Sequence, residues 1–370
     1  MVTDTQSRKF HHRNISSDLI HDWKSLVSSS IRNPEKLASF FPPDTKREDM
    51  RKIDEVITRY PMQINPYYMS LIKGPDDPVW KQAVPHIAEI TDFHATDDDP
   101  LCEEDQSPVP NLVHRYPDRV LFLVSARCAV YCRHCMRKRK VGHPATINSD
   151  TIEAGIAYIR EHEKIQDVLL SGGDPLMLED EDIYKILTEV RNISHVETIR
   201  IHTRTPCTLP QRITPELCRM LKKFHPLYVN THFNHPAEIT TESKRACEML
   251  ADSGIPTGCQ TVLLKGVNDD AEVMISLMKK LISIRVRPYY IHQTDMVRGT
   301  GHFHVPVAEG LGIMQKLRGH VSGICVPQFM IDLPGGGGKI PLLPEYIVEK
   351  SKKKWLIKNF EGEIFEYPLY

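Results

Sequence analysis

From about residue 119 onward, short runs of β-type residues alternate with segments of helical periodicity, and this alternation constrains the fold more than any other feature. Strands that alternate with helices of this length form parallel sheets through right-handed crossovers. The pattern therefore predicts an α/β fold but leaves open whether the sheet is flat or closed. The strand-like runs are 120–124, 167–170, 197–202, 227–231, 258–263 and 287–292, with helical patterns near 150–163, 180–192, 214–224, 240–253 and 269–285.

Composition is that of an ordinary globular protein. A chain of 370 residues is long enough for two domains, or for one barrel-sized domain with an appendage. Its net charge of −1 gives no support for nucleic acid or an anionic membrane as the main partner. We expect a cytoplasmic protein, because the first residues lack a signal-peptide pattern, no apolar run is long enough to span a membrane, and the nine cysteines form no dense disulfide framework.

The N-terminal part is predicted to be helical and irregular. Ser16 and Ser17 are candidate caps of a helix that runs to about residue 30, and Asp44 is a candidate cap of a second helix. The acidic run at 97–105 is predicted to be a solvated linker. The predicted division is a helical region with its linker at 1–110, a barrel at 111–300 and a C-terminal segment at 301–370.

Three cysteines follow the first predicted strand, Cys128, Cys132 and Cys135, and no fourth cysteine lies nearby. Thiolates are soft ligands that suit iron–sulfur clusters, zinc or copper(I). Structural zinc sites and ferredoxin clusters use four protein ligands. Three cysteines would instead hold three irons of a [4Fe–4S] cube and leave the fourth iron open to a small molecule. The alternatives are a zinc site completed by His134 or by a remote ligand, and three unrelated buried thiols, which the neighbouring arginines disfavour.

Two glycine-containing loops follow other strand-like runs. Gly172 and Gly173 would let the backbone approach a ligand closely, and Asp174 can accept hydrogen bonds from an ammonium group. Four glycines at 335–338 precede Lys339, without the spacing of a phosphate-binding P-loop. A lysine in a partly desolvated site can form a Schiff base with an aldehyde. Taken alone, the first loop is better explained as an ordinary turn, and Lys339 is better explained as a solvated loop lysine.

The cysteine loop resembles the C-x3-C-x2-C motif of the radical S-adenosylmethionine (SAM) enzymes, in which the open iron binds SAM. The loop with Gly172, Gly173 and Asp174 is similar to the motif that contacts the amino group of SAM in that family. His134 stands where the family places an aromatic side chain against the adenine. The resemblance implies a six-stranded partial (β/α)6 barrel with the cluster loop after its first strand.

A wider resemblance, over roughly residues 90–365, is to the lysine 2,3-aminomutase family, whose members also use pyridoxal phosphate (PLP). It implies that Lys339 is the PLP lysine and the catalytic residue, and that a SAM-derived 5′-deoxyadenosyl radical drives the interconversion of L-α-lysine and β-lysine. The stretches that carry the resemblance are 114–119, 128–137, 171–175, 230–235, 260–268, 289–303 and 326–339.

The same resemblance implies the remaining cofactor contacts. Arg115, Tyr116, Arg119 and Gln260 would hold the PLP phosphate, and arginine forks with a tyrosine hydroxyl suit a phosphate dianion. His232 would be a further cofactor-binding residue. The alternative for the two arginines is surface ion pairing with the acidic run.

Substrate recognition is expected from Arg137, Asp295 and Asp332. By the resemblance, Arg137 pairs with the substrate α-carboxylate and the two aspartates pair with the distant ammonium of lysine, whereas glutamate-acting relatives carry lysine and asparagine there. Two neighbouring carboxylates ionise together only with a cation between them. Residues 138–140 are predicted to be a solvated basic face. The alternatives are an arginine or glutamate 2,3-aminomutase, an elongation factor P-type lysine aminomutase, and an iron–sulfur redox or binding protein without SAM chemistry.

The sequence departs from the clostridial members in one respect. Those carry zinc-binding cysteines beyond the PLP lysine, whereas here no cysteine follows Cys325, and Asp270 stands where the partner cysteine would be. No zinc site is therefore expected, and a dimer is at least as consistent with the sequence as a tetramer. The expected partners are a small amino acid, with L-lysine as first choice, and an electron donor such as flavodoxin or ferredoxin.

Overall fold

The structure, a computed structural model, describes residues 22–40, 47–95, 97–142 and 147–370. The caps predicted at Ser16, Ser17 and Asp44 lie outside these residues. Within them, the first helix begins at Trp23, because the carboxylate of Asp22 accepts hydrogen bonds from the backbone N–H groups of Lys24 and Ser25.

Short helices form the N-terminal region, and asparagine or aspartate followed by proline starts several of them. The side chains of Asn33, Asn65 and Asp77 each accept a hydrogen bond from the first turn, and the next residue is a proline whose fixed φ suits the first helical position. The helices are α1 (Trp23–Ser28), α2 (Pro34–Ala38), α3 (Arg47–Arg59), α4 (Pro66–Ser70), α5 (Pro78–Ala83) and α6 (Ala88–Thr91).

A nine-stranded sheet forms the centre of the protein, with its strands in sequence order. Strands β2 to β8 run parallel, while β1 and β9 pair antiparallel at the two edges. The six predicted strands are β2 to β7, so the predicted α/β barrel-like fold is confirmed and the sheet is three strands larger. The strands are β1 (Leu112–Tyr116), β2 (Arg119–Ser125), β3 (Asp167–Gly172), β4 (Thr198–His202), β5 (Leu227–Thr231), β6 (Thr257–Val262), β7 (Arg287–His292), β8 (Gln328–Leu333) and β9 (Gly338–Leu342).

Helices cover the outer face of this sheet. In β4, Ile199 and Ile201 are fully buried in the core against the helices, while Arg200 and His202 line an internal cavity. This follows from the two-residue period of a strand, which sends successive side chains to opposite faces. The outer helices are α7 (Ser149–Glu161), α8 (Asp180–Arg191), α9 (Thr205–Thr208), α10 (Pro215–Leu221), α11 (Thr241–Asp252), α12 (Ala271–Ser283) and α13 (Val307–Leu317).

A separate antiparallel sheet of three strands lies near the C-terminus, with order β10 (Ile347–Lys350), β11 (Lys354–Lys358) and β12 (Ile364–Pro368). All side chains of β10 and β12 are exposed, including several large apolar ones. Among the described residues, no helix is long and apolar enough to cross a membrane.

Candidate active site

A cavity of about 910 Å³ lies inside the large sheet and opens near the carboxyl ends of its parallel strands. Side chains from β1 to β9 and from the loops that follow them form its wall, as expected for ligand sites in α/β sheets. Every site residue predicted from the sequence lines this one cavity: Arg115, Tyr116, Arg119, Cys128, Cys132, His134, Cys135, Arg137, Gly172, Gly173, Asp174, His232, Gln260, Asp295, Asp332 and Lys339.

The three cysteines lie at one end of the cavity, on the loop after β2. Two sulfurs already accept hydrogen bonds, Cys135 Sγ from the backbone N–H of Arg137 (3.3 Å) and Cys132 Sγ from the guanidinium of Arg204 (2.7 Å). Burial raises the pKa of the Cys128 thiol and raises that of Cys135 to about 11. In the part of the chain that the structure describes, no three metal-ligating side chains converge on a point where a single ion could sit.

A buried ion triad holds the cysteine loop against the N-terminal helices. The carboxylate of Glu89 pairs with Arg133 (2.6 Å) and with Lys138 (2.6 Å), and Arg133 also donates to the carbonyl groups of Tyr60 and Pro61. Arg133 is 2% exposed and Lys138 is 8% exposed. Lys138 therefore does not belong to a solvated face, and an arginine beside the cysteines is compatible with full burial when a carboxylate neutralises it.

The glycines after β3 allow this loop to pack directly on the cysteine loop. Gly172 has a positive φ of 125°, and a Cβ there would lie 2.2 Å from the carbonyl oxygen of Ser125. A Cβ on Gly173 would lie 2.5 Å from the carbonyl oxygen of Arg127. Only glycine tolerates such an approach. The two glycines thus bring the backbone close to the cysteine loop, whereas their approach to a ligand stays a prediction.

Asp174 is buried, and its carboxylate already accepts three hydrogen bonds. Oδ1 accepts from Thr203 Oγ1 (2.7 Å) and from the backbone N–H of Leu176 (3.0 Å), while Oδ2 accepts from the backbone N–H of Arg204 (2.8 Å). The side chain thus ties the loop after β3 to the loop after β4. An ammonium contact at Asp174 would have to share this carboxylate with those donors.

His134 and His232 form a buried aromatic wall next to the cysteines. Their rings meet edge to face at 5.7 Å, and burial lowers the pKa of both imidazoles, so both are neutral near pH 7. His134 Nε2 lies 3.3 Å from the side-chain amide of Asn234, whereas His134 Nδ1 is buried without a partner in the described part of the chain. An unpartnered buried nitrogen that lines a cavity is a suitable contact for a bound cofactor.

At the opposite end of the cavity, β1 and β9 approach each other around Tyr116. The tyrosine hydroxyl accepts a hydrogen bond from the backbone N–H of Lys339 (2.8 Å), and the guanidinium of Arg119 stacks 3.8 Å from the tyrosine ring. Arg119 pairs with the adjacent Asp118 rather than with the acidic run. The guanidinium of Arg115 lies 5.7 Å from the same tyrosine ring, and Gln260 lines the cavity.

Lys339 points into the cavity toward two carboxylates. Its Nζ lies 2.6 and 2.7 Å from the two oxygens of Asp332, and its side chain is 35% exposed. Burial alone would raise the pKa of Asp332. The net effect is a lowered pKa, because the carboxylate interacts with His292 and with the Lys339 ammonium. His292 Nδ1 lies 3.6 Å from Asp332 Oδ2. Burial, together with the charge of Asp332, raises the pKa of Asp295 to about 7.

Arg137 forms a bidentate ion pair with Glu103, from Nε and Nη2. Glu103 is 4% exposed, although it belongs to the acidic run that was predicted to be a solvated linker, and that prediction is wrong at this residue. Arg139 and Lys140 are partly buried and pair with the same run, so the prediction of a solvated basic face is also wrong. The two runs neutralise each other at the mouth of the cavity.

The charged residues that sequence reasoning missed include Glu103, Asp167, Arg200 and Arg204, which line the cavity, and Glu238, which pairs with Arg204. Glu103 is one of several carboxylates in the acidic run, and nothing in the sequence distinguishes it from its exposed neighbours. Arg204 follows β4 by two residues and could have been found, because polar side chains at the carboxyl ends of parallel strands face the ligand site. Glu238 has no local signal.

Two family models match parts of the chain. The one described as Radical SAM superfamily covers residues 122–278, and the one described as Lysine-2,3-aminomutase covers residues 314–369.

Curated relatives are similar over nearly the whole chain. The L-lysine 2,3-aminomutase of Clostridium subterminale is 50% identical over 94% of this chain and 84% of its own length. The enzyme of the same name from Fusobacterium nucleatum is 48% identical over 99% of this chain and 86% of its own. The glutamate 2,3-aminomutase of Clostridioides difficile is 45% identical over 94% of this chain and 82% of its own.

Proposed function

The chain belongs to the lysine 2,3-aminomutase family, and from this premise we propose that it interconverts L-α-lysine and β-lysine. The observation that carries the choice of lysine is the pair of carboxylates, Asp295 and Asp332, at the Lys339 end of the cavity. The pKa of Asp295 is raised to about 7 partly because Asp332 is near. A cation placed between the two carboxylates removes that repulsion, and the side-chain ammonium of lysine is such a cation.

The cofactors of this family are a [4Fe–4S] cluster, SAM and PLP, and the donor groups in the cavity fit them. Cys128, Cys132 and Cys135 would hold three irons of the cluster, which needs sulfur ligands spread over separate irons rather than converging on one ion. The buried Nδ1 of His134 and the neutral His232 would contact SAM. When bound, the cluster and SAM supply a radical that removes a hydrogen atom, and PLP supplies the carbonyl and π-system that carry the substrate nitrogen.

Lys339 would supply the amine that bonds to PLP. The hydrogen bond from its backbone N–H to Tyr116 holds the start of β9 against β1, and the glycine-rich turn before it brings the lysine to the cavity edge. Asp332 holds the lysine Nζ inside the cavity with both oxygens. Arg115 and Arg119 lie beside the Tyr116 ring, Gln260 lines the same cavity, and these residues would bind the phosphate.

Arg137 would bind the substrate α-carboxylate. Its Nε and Nη2 donate to Glu103, no hydrogen bond from Nη1 is found in the described part of the chain, and Arg137 lines the cavity. Glu103 thus orients the guanidinium so that one edge is satisfied and the other remains for a substrate anion. The enclosed wall between Arg137 and Asp332 would exclude water from the reacting carbons.

An anionic side chain is disfavoured at the same position. A glutamate side chain would meet two carboxylates instead of a cation, so glutamate turnover should be much slower than lysine turnover. Arginine keeps the favourable charge and is separated from lysine by the substrate comparison described in the Discussion.

The remaining parts of the proposal concern partners, location and domains. A one-electron donor such as flavodoxin or ferredoxin would reduce the cluster.

The C-terminal sheet exposes several apolar side chains: Val348, Ile364, Phe365 and Tyr367. Their exposure supports burial of this sheet against a second copy of this chain. All nine cysteines are free, which supports a reducing, cytoplasmic location. We retain the three-part division at 1–110, 111–300 and 301–370 as a proposal.

The direct test is product formation. Protein reconstituted anaerobically with iron, sulfide and PLP is incubated with SAM, dithionite and L-lysine labelled with ¹⁵N on the α-amino group. Carbon and nitrogen NMR should show the label on Cβ of β-lysine. Cleavage of SAM without transfer of the label to Cβ, for lysine or any other amino acid, would contradict the proposal.

A further inference from the structure

Arg204 connects the cysteine loop to the loop after β4. Its side chain is 8% exposed, and Nη1 lies 2.7 Å from Cys132 Sγ. No hydrogen bond from a basic side chain to Cys128 or Cys135 occurs in the described part of the chain, where Cys135 Sγ accepts from the backbone N–H of Arg137 and Cys132 Sγ also contacts the carbonyl of Val130. Arg204 thus places a full positive charge against one of the three predicted cluster ligands.

The position of this guanidinium is fixed by buried partners from three other segments. Nη2 donates to the Tyr68 hydroxyl (3.2 Å), to Gln82 Oε1 (2.6 Å) and to Glu238 Oε1 (2.7 Å). Its Nε is buried without a partner in the part of the chain that the structure describes, so one further donor remains for an acceptor at the cysteine end of the cavity.

Glu238 is fully buried and is itself held in place. It accepts hydrogen bonds from the Tyr68 hydroxyl and from the backbone N–H groups of Asn234 and His235. The pair therefore places a positive charge next to Cys132 and a negative charge behind it, and both charges are shielded from solvent. In such surroundings, charge interactions are much stronger than at a protein surface.

We propose that Arg204 and Glu238 set the reduction potential of the cluster in opposite directions, an inference that rests on the proposed role of Cys132 as a cluster ligand. The cluster takes up one electron from the external one-electron donor, its thiolate bonds are retained, and its net charge becomes more negative. A fixed guanidinium that donates to a ligand sulfur stabilises this reduced form, and hydrogen bonds to cluster sulfurs and local charge are known means of tuning such potentials. Glu238 partly cancels the effect.

The test is an anaerobic redox titration of the reconstituted protein without SAM, in which the EPR signal of the reduced cluster is measured at each potential. Arg204→Met should lower the midpoint potential by about 59 mV or more, which is a tenfold loss of reduced cluster at a given poise. Glu238→Gln leaves the guanidinium uncompensated and should raise the potential. Arg204→Lys keeps the charge and should lie between wild type and Arg204→Met.

The matched control is Arg212→Met. Arg212 is equally buried, but it donates to the carbonyl groups of Leu176 and Leu178 and does not line the cavity. Its replacement should cost stability and leave the potential unchanged. Iron content and thermal unfolding are measured for every variant, so that a loss of cluster is separated from a shift of its potential.

Three outcomes would overturn this inference. The first is that the wild type carries the cluster but the Arg204 and Glu238 variants have the same midpoint potential as the wild type. Another is a shift of both variants in the same direction, which would indicate general disruption of the site. The third is weaker SAM binding at unchanged potential, which would make Arg204 an anchor for the SAM carboxylate. A wild type that binds no iron would instead refute the proposed function itself.

Discussion

Asp295→Asn separates the electrostatics of the proposed lysine pocket from protein folding. The carboxylate of Asp295 has no hydrogen-bond partner in the described part of the chain, and its pKa is raised to about 7 by burial and by the charge of Asp332. At pH 8 it is mostly ionised and available to a substrate ammonium. Removing one partner of a desolvated charge pair costs on the order of 2–5 kcal/mol of binding free energy. Because Asp295 is partly open to the cavity, we expect the lower end, about a 30-fold loss of kcat/KM for lysine.

The same substitution should stabilise the cofactor-free protein. A carboxyl whose pKa rises from 3.8 to about 7 on folding lowers the free energy of unfolding as the pH increases through that range, because the unfolded chain loses its proton first. The full shift corresponds to at most about 4 kcal/mol, and water in the cavity reduces this to about 1–2 kcal/mol. The stabilisation should be complete above pH 7 and disappear as the pH is lowered toward 4.

Asp332→Asn is the matched control. The pKa of Asp332 is lowered in the folded protein by His292 and Lys339, so its ionisation adds stability above about pH 4 and its removal should destabilise the protein. Chemical unfolding at several pH values, with lysine turnover measured on the same preparations, checks both variants. Destabilisation by Asp295→Asn at pH 8, or unchanged turnover of lysine, would refute the electrostatic argument.

Three further predictions concern the cofactor sites and the fold. Cys132→Ala should lose most of the roughly four irons per chain expected of a [4Fe–4S] cluster, while circular dichroism remains that of the wild type; zinc at one per chain without iron in the wild type would contradict the assignment. Borohydride reduction of the PLP-loaded protein and peptide mapping should place the pyridoxyl group on Lys339, and a label on another lysine would exclude it. Glu89→Gln leaves Arg133 and Lys138 without their buried counter-charge and should cost about 3–5 kcal/mol in denaturant unfolding; a loss below about 1 kcal/mol would show that the triad does not stabilise the cysteine loop.

The parallel strands could be predicted because each is a short apolar run whose period differs from that of the helices beside it. The prediction gave too few strands at the edge of the sheet formed by β8 and β9. Residues 329–333 are a strand-like run in the sequence, but the pairing of this strand with β7 depends on a connection through α13 that no local pattern reveals. The edge strand β9 carries a lysine and Pro341, both typical of edges and poor signals for a strand.

The motif residues could be predicted because their chemistry depends on neighbours close in sequence. The ion pairs that orient them could not, since Glu103 and Arg137, or Arg204 and Glu238, are 34 residues apart in sequence and meet only in the folded chain. The acidic run at 97–105 and the basic run at 138–140 were therefore predicted to be exposed to solvent. Pairing with an opposite charge can offset the cost of desolvating a buried charge. A sequence pattern reports which groups are present, whereas their pairing is a property of the fold.

The central claim, that two carboxylates select a cationic side chain, is tested most directly by kcat/KM for L-lysine, L-arginine and L-glutamate with one preparation of the reconstituted enzyme. We predict that lysine is fastest and that glutamate is slower by at least tenfold. Asp295→Asn should lower the rate for lysine and raise the rate for glutamate, because it removes an attraction in the first case and a repulsion in the second. Faster turnover of glutamate than of lysine by the wild type would contradict the claim.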